Sequence, residues 1–161
     1  MENGDPETYD QKVFRSLVNV IHMITEDPRY QQFIPVLELY INENFYATLA
    51  YSKLNIELLA CVENKTLNPK EMTQTMKCLK YVFKFVVRSR TLCSQLNEGK
   101  GQESFEEQLG DVLTSLVELM SSKSEDLFQV LILLFYSTAI TSAGWVRSTI
   151  IKHCPLARSK Q

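Results

Sequence analysis

The stretch NPKEMTQTMKCLKYVFKFVVRSR, residues 68–90, is the part of this 161-residue chain that decides its fold class. Asn68 can cap a helix, Pro69 suits its first position, and Glu71 is placed to reach back to the cap. At 100° per residue, the apolar side chains from Leu79 onward cover roughly 200° of the helix surface. A helix that is apolar over so wide an arc has neighbours on two sides. The stretch therefore predicts an interior α-helix.

Two details of this helix are open to a direct structural test. Phe83 and Val86 belong to the apolar arc and are expected to be deeply buried. In the same projection Arg90 falls on the apolar arc and Leu92 on the basic side. We therefore expect the helix to break or bend near Ser89–Thr91.

The remaining side of the helix is basic. Four cations lie within about 80° of one another there, and we name them the basic face: Lys77, Lys80, Lys84 and Arg88. The plainest interpretation is a solvated face. A second is pairing with the acidic side of the helix 104–120, and a third is docking of an acidic lipid or an acidic partner protein. The basic face is the candidate binding site of this sequence.

Two capping boxes predict further helix starts. Thr8 and Gln11 precede an apolar pattern that Asp27-Pro28 ends, and Ser104 and Glu107 precede a second pattern. The second pattern forms one narrow apolar stripe, which consists of Phe105, Leu109, Val112, Leu113, Leu116 and Met120.

The stretch from about residue 29 to residue 62 is also apolar. Pro35 and the polar residues 42–44 interrupt it, so we expect two helices there. Apolar residues mark two faces of the second helix, which are Phe45, Leu49, Ile56 and Leu59 on one side and Ala50, Leu54 and Leu58 on another. Helices that are apolar on more than one side are interior helices.

The whole pattern predicts an all-α protein. Five or six amphipathic helices are joined by short turns, only five glycines and five prolines occur, and no strand pattern has comparable strength. Such helices can stack as antiparallel pairs in an α-solenoid. The absence of an exact internal repeat argues against a regular repeat class such as the tetratricopeptide repeats.

No residue pattern indicates catalysis. Cys61, Cys78, Cys93 and Cys154 stand far apart, without a CxxC pair or a histidine at zinc-ligand spacing, and we interpret them as small buried hydrophobes. His22 has no residue spaced to orient it as a base, so we expect it at the edge of the core. We therefore predict no catalytic residue, no cofactor and no metal site, and no enzyme activity.

Composition also bounds the partners and the compartment. The net charge of −2 argues against nucleic-acid binding, which requires a basic surface. The acidic N-terminus contains no apolar stretch and is not a signal peptide. Together with unpaired cysteines, this predicts a cytoplasmic location.

Residues 127–146 carry no charge, in contrast to the mixed charge before them. We consider three interpretations of this run. It can be a buried helix that closes the helical stack over the stripe 105–120, a transmembrane helix of minimal length, or a loosely packed apolar end.

Three blocks of the sequence carry a resemblance to a known family. They are KYVFKFVVRSRTLCSQLNEGK (80–100), FYATLAYSKL (45–54) and FIPVLELYI (33–41). In this order and with this spacing they resemble the central helical region of the dedicator-of-cytokinesis (DOCK) exchange factors, specifically the subfamily that activates Rac. The resemblance covers about residues 10–122 and implies an armadillo-like helical segment that follows a lipid-binding domain.

The resemblance divides the chain into three parts. Residues 1–9 are expected to be disordered, residues 10–122 to form the helical segment, and residues 123–161 to form a divergent apolar helix with a basic tail. Beyond about Ser124 the sequence departs from the family pattern, as a splice variant or an incomplete gene model would.

The resemblance implies a function without catalysis. No part of the chain resembles the exchange domain, so we expect a scaffold segment of a Rac-type guanine nucleotide exchange factor in small GTPase signalling. Its helical surfaces would bind protein partners, and a Rac-class GTPase would bind only through domains missing here. The alternative is a stand-alone helical adaptor that binds a partner or an anionic membrane through the basic face, with recruitment to the plasma membrane.

Overall fold

The computed structural model describes residues 6–64, 68–97 and 101–123. These ranges contain five α-helices, with a 3₁₀ turn (Gln31–Phe33) before the second and a π-helical turn (Tyr40–Asn44) after it. The helices are α1 (Pro6–Glu26), α2 (Ile34–Leu39), α3 (Ala50–Glu63), α4 (Pro69–Leu96) and α5 (Gln102–Lys123). No strand occurs within the described ranges, and the all-α prediction is confirmed.

Helix α4 begins as its sequence predicts. The Asn68 side chain accepts a hydrogen bond from the Lys70 backbone nitrogen at 3.0 Å, and Pro69 is the first helical residue. Helix α4 then continues without a break to Leu96, so the predicted break near Ser89–Thr91 is wrong. The cause lies in tertiary contacts of Ser89 and Arg90, which hold these polar residues inside the fold.

The two predicted capping boxes are wrong, because both helices begin earlier. Helix α1 starts at Pro6, so residues 6–9 are helical rather than disordered, and Thr8 lies inside the helix. Helix α5 starts at Gln102 because Gly101 adopts a left-handed φ of 79° and its carbonyl accepts a hydrogen bond from the Phe105 nitrogen at 3.2 Å. Ser104 is therefore already within the first turn.

The segment between α1 and α4 follows the sequence in part. Helix α1 ends at Glu26, before Asp27-Pro28, as expected. Pro35 lies in the first turn of α2 instead of interrupting a helix. Helix α3 begins only at Ala50, so Phe45 and Leu49 of the first predicted apolar face precede the helix. Leu49 and Ile56 are 67% and 54% exposed, whereas Phe45 and Leu59 pack against the core.

Helices α3 and α4 form the centre of the fold. Helix α4 packs against α1, α3 and the π-helical turn, which agrees with its wide apolar arc. Phe83 and Val86 are buried, with 6% and 1% exposure. Helix α3 packs against α1, α4 and α5, and Leu58 is fully buried in the common core.

Side-chain bonds give the directions of the last three helices. The Tyr51 nitrogen bonds Ser89 and Cys61 bonds Thr75, so α3 and α4 are antiparallel. Gln108 bonds Ser52 and Ser115 bonds Glu63, so α5 lies along α3 in the same direction. The described part of the predicted apolar stripe is buried, namely Phe105, Leu109, Val112, Leu113 and Leu116.

Two predictions lie outside the described residues. These are the divergent C-terminal part, 123–161 apart from the end of α5, and the three interpretations of the uncharged run 127–146. Among the helices that are described, none combines the length and hydropathy needed to cross a membrane.

Candidate functional site

The basic face lies on α4, opposite the side that packs on α3. Its position follows from helical spacing, which returns every third or fourth residue to the same side. Lys77 and Lys80 are exposed, whereas Lys84 and Arg88 are half-buried. The four cations therefore do not share one environment, although the sequence places them on one face.

Two of the four cations form ion pairs. The Lys77 ammonium lies 2.9 Å from Glu26 at the end of α1. The Lys84 ammonium lies 2.5 Å from one carboxylate oxygen of Glu38 in α2 and 2.6 Å from the other. The hydrogen bond that Lys77 donates to Glu26 raises the pKa of Lys77. These two charges are thus neutralised by acids of the helices that pack beside α4.

These partners correct one of the three interpretations of the basic face. The acids come from α1 and α2, and not from the helix 104–120. The reason is the packing order, because α5 lies against α3 and its acidic residues Glu107, Asp111 and Glu118 are exposed.

The other two cations have no acidic partner within the described part of the chain. The Lys80 ammonium lies 5.4 Å from the centre of the Tyr81 ring. The Arg88 Nε atom is shielded from solvent and has no hydrogen bond to any residue that the structure describes. Lys80 and Arg88, just over two helical turns apart, are the cations of the basic face that keep an unpaired positive charge among the described residues.

A second polar cluster, which sequence reasoning missed as a site, joins three helices. We name it the three-helix joint: Ala47, Tyr51, Ser89, Arg90, Gln102 and Phe105. The Ser89 hydroxyl donates to the Ala47 carbonyl at 2.6 Å and accepts from the Tyr51 nitrogen at 2.9 Å. Ser89 thereby ties α4 to the start of α3.

Arg90 is the largest fully buried side chain in the described ranges. Its guanidinium carbon lies 5.4 Å from the centre of the Tyr51 ring and 5.6 Å from that of Phe105, and its Nη2 donates to Gln102 Oε1 at 3.1 Å. The two rings meet edge to face at 5.4 Å. The signal was present in the sequence, since Arg90 projects onto the apolar arc, but we read it as a helix break.

The thiols and the histidine of the described part show no arrangement for catalysis. Burial raises the pKa of Cys78 to about 12, and burial likewise raises the pKa of Cys61. Cys78 and Cys93 are buried, as predicted, and Cys61 is half-buried. His22 is half-buried, which agrees with a place at the core edge. Within the ranges described, no cluster of three metal-ligating side chains occurs.

A cleft of about 130 Å³ lies between α1, α3 and α4. Arg15, Asn19, Glu57 and Gln74 are among the residues that line it. Gln74 donates to Asn19 across it at 2.6 Å. Its lining mixes apolar side chains such as Phe14 and Val18 with these polar ones, and the hydrogen bond across it is typical of a seam between packed helices.

Comparison with known proteins identifies the family. The model of the dedicator of cytokinesis (DOCK) TPR region matches residues 1–143. This match extends through most of the uncharged run, beyond Ser124, where we expected the resemblance to end. The name of this region, TPR, denotes tetratricopeptide repeats, the class against which the missing internal repeat had argued.

Individual relatives support the match. Dedicator of cytokinesis protein 4 of Homo sapiens is 31% identical over 121 residues, which is 74% of this chain and 6% of the relative. Dedicator of cytokinesis protein 3 of Mus musculus is 31% identical over 130 residues, or 77% of this chain and 6% of the relative. The chain thus spans about 6% of the length of these relatives, and it belongs to the dedicator of cytokinesis family through its TPR region.

Proposed function

We propose that this chain acts as a non-catalytic helical scaffold within Rac-directed guanine nucleotide exchange. The observation that carries the proposal is the family match over residues 1–143, which falls entirely within a helical region of much longer relatives. Its role in signalling would be to space and orient other domains and to bind protein partners through helix surfaces, in the cytoplasm and at the plasma membrane.

The contacts of the described helices support a rigid spacer. Helix α4 is covered by α1 and α3, and the three-helix joint fixes the start of α3, the end of α4 and the start of α5. Buried hydrogen-bonded polar groups favour one unique packing arrangement over sliding alternatives. We further propose that α3 and α4 form one unit of an armadillo-like solenoid, in which α5 begins the next unit parallel to α3.

A nucleotide-release assay tests the absence of catalysis. Rac loaded with a fluorescent GDP analogue is mixed with the purified chain, and release is followed against excess unlabelled GTP. We expect the intrinsic rate to be unchanged, while chelation of magnesium accelerates release in the same sample as the positive control. A chain-dependent acceleration that scales with chain concentration would overturn the proposal.

A second candidate function is docking of an acidic partner or an anionic membrane on the basic face. Its supporting observation is that Lys80 and Arg88 have no carboxylate partner among the described residues. Because Lys77 and Lys84 are paired, Lys80 and Arg88 would supply most of the attraction.

Liposome flotation distinguishes this candidate from a solvated face. Vesicles of anionic lipid are compared with neutral vesicles for the unmodified chain, a Lys80→Gln/Arg88→Gln variant and a Lys53→Gln control in α3. If the face docks membranes, the double variant alone loses binding. Equal flotation of the double variant and the control assigns the basic face to solvent.

A further inference from the structure

Helix α1 has a second apolar face that points away from the core. Its inner face is buried through Phe14, Val18 and Ile21. Its outer face carries four large apolar side chains that remain 43–68% exposed, namely Tyr9, Val13, Val20 and Met23. Single exposed apolar residues are common on protein surfaces. What distinguishes this set is its spacing along the helix.

The outer residues follow a heptad pattern. Tyr9, Val13, Ser16, Val20 and Met23 succeed one another at intervals of four, three, four and three residues, which places them within about 80° on one side of the helix. This is the spacing of the a and d positions in a two-helix seam, with Val13 and Val20 at a and Tyr9, Ser16 and Met23 at d.

The polar member of this seam is compatible with burial. The Ser16 hydroxyl donates to the Lys12 carbonyl one turn earlier at 2.9 Å. Its donor is therefore satisfied inside its own helix, and covering it leaves no unpaired O–H group. A second helix can thus cover Ser16 without leaving its hydroxyl donor unpaired.

The flanking charges select the occupant. Lys12, Asn19 and Glu26 occupy the g positions along one edge of the seam. In an antiparallel pair of identical helices, g positions face g positions, so Lys12 of one copy meets Glu26 of the other at both ends, and Asn19 meets Asn19 at the centre. In the same register Val13 lies opposite Met23 of the second copy, and Ser16 lies opposite its Val20.

We propose that the outer face of α1 is a self-complementary docking surface for α1 of a second copy of this chain, in an antiparallel two-fold pair. The pairing is isologous, because the same residues serve both sides. Glu26 keeps its bond to Lys77, so each end of the seam becomes a Lys77–Glu26–Lys12 cluster spanning two chains. A single helix pair buries less than a standard interface, so the association is weak, with a dissociation constant in the tens to hundreds of micromolar.

Sedimentation of the full chain over the micromolar to millimolar range tests this surface. We expect a reversible monomer–dimer equilibrium that Val20→Arg weakens by at least about tenfold. The matched control is Ile56→Arg, on a side chain of similar exposure in α3, which leaves the equilibrium unchanged. A chain that stays monomeric overturns the proposal and indicates that a different helix covers this face. A dimer that Val20→Arg does not weaken also overturns it and indicates that the dimer forms through a different surface.

A charge exchange tests the register. Lys12→Glu and Glu26→Lys each place like charges opposite one another in their own homodimers, and we expect each to weaken self-association several-fold. Mixed together, the two variants restore both attractive pairs, so the heterodimer forms at least as tightly as the unmodified dimer. The helical content and melting temperature of each variant are measured first, because Glu26→Lys also removes the partner of Lys77. If Glu26→Lys does not fold, the self-association of Lys12→Glu alone tests the register. Unchanged dimerisation of Lys12→Glu, or a folded pair whose mixture shows no recovery, excludes the antiparallel arrangement.

Discussion

The middle of α4 and its C-terminal part are equally buried but by different chemistry. Between Cys78 and Val86 the buried surface is apolar, and it packs against α1 and α3. At Ser89 and Arg90 the same helix buries a hydroxyl and a guanidinium, both with 0% exposure. The difference shows that one helix can be held by nonspecific burial along its length and by directed bonds at a single joint.

The largest effect is expected in the apolar middle. Phe83→Ala removes a buried ring between packed helices and should lower the free energy of unfolding by ~3–5 kcal/mol, enough to unfold a domain of ordinary stability. Urea denaturation followed by circular dichroism measures this loss, and Ile56→Ala on the exposed side of α3 is the control. A variant that melts within a degree or two of the parent would show that burial in this region contributes little.

Arg90 tests the joint itself. Arg90→Ala deletes the contacts with both rings and the bond to Gln102, and it should destabilise the chain by ~2–4 kcal/mol. Arg90→Met retains an unbranched side chain of similar length between Tyr51 and Phe105, so we expect a smaller loss. If methionine and alanine are equally damaging in thermal unfolding, the charge and its bond matter more than the packing.

Ser89 provides a smaller and more specific test. Ser89→Ala removes one hydroxyl and leaves the Tyr51 nitrogen and the Ala47 carbonyl without this partner, at a cost of ~1–3 kcal/mol. Ser16→Ala on the outer face of α1 is the matched control, because its hydroxyl bonds only within its own helix. If the free energy of unfolding falls no more in Ser89→Ala than in the control, the hydrogen bonds of Ser89 do not stabilise the fold.

Alkaline pH should act on the apolar middle through Cys78. Burial raises its pKa from an ordinary value of 9.0 to about 12, and the pKa values of Cys61, Tyr81 and Lys77 are raised as well. Between these values the unfolded chain loses the thiol proton while the folded chain retains it, so stability is full below pH 9 and falls as pH rises toward 12. At pH 10 one such thiol lowers the free energy of unfolding by ~1 kcal/mol relative to its value below pH 9.

Melting temperatures between pH 8 and pH 11 measure this dependence. Cys78→Ala should flatten the alkaline slope, although it lowers stability at every pH by leaving a small cavity. An identical slope in the variant would assign the pH dependence to the remaining groups.

Asn55 is a buried polar residue whose surroundings differ from those of Ser89 and Arg90 in the three-helix joint. It is 1% exposed, and among the described residues neither the oxygen nor the nitrogen of its side-chain amide has a hydrogen-bond partner. Asn55→Leu should therefore raise the free energy of unfolding by ~1 kcal/mol, since an unsatisfied amide is exchanged for an apolar group of similar volume. A destabilised Asn55→Leu chain would indicate that the amide has a role, such as binding a buried water.

Hydrophobic periodicity and helix-end signals predicted much of the fold, and individual residues explain why some predictions were wrong. The Asn68 cap and the wide arc of α4 are local properties, and both were predicted correctly. Arg90 is different, because its burial depends on Tyr51 and Phe105, which come from two other helices. Local pattern alone cannot distinguish a cation that ends a helix from one that has aromatic partners elsewhere in the chain.

The basic face shows the same limit. Helical spacing correctly placed its four cations on one side of α4, but the distribution of charge on it depends on Glu26 and Glu38. These acids lie in α1 and α2, and the sequence gives no indication of which helices will pack beside α4. The helix starts at Pro6 and Gln102 were missed for a simpler reason, since the capping-box patterns placed both starts later in the sequence.

The packing of α1 on α4 has a consequence for synthesis. The Cys78 thiol contacts the Val18 carbonyl at 3.5 Å, so the inner face of α1 finds its cover in a helix that emerges much later from the ribosome. At ordinary elongation rates the wait between Ile21 and Val82 is about 3–12 s. During that interval the apolar side chains of Phe14, Val18 and Ile21 lack the cover that α4 later gives them.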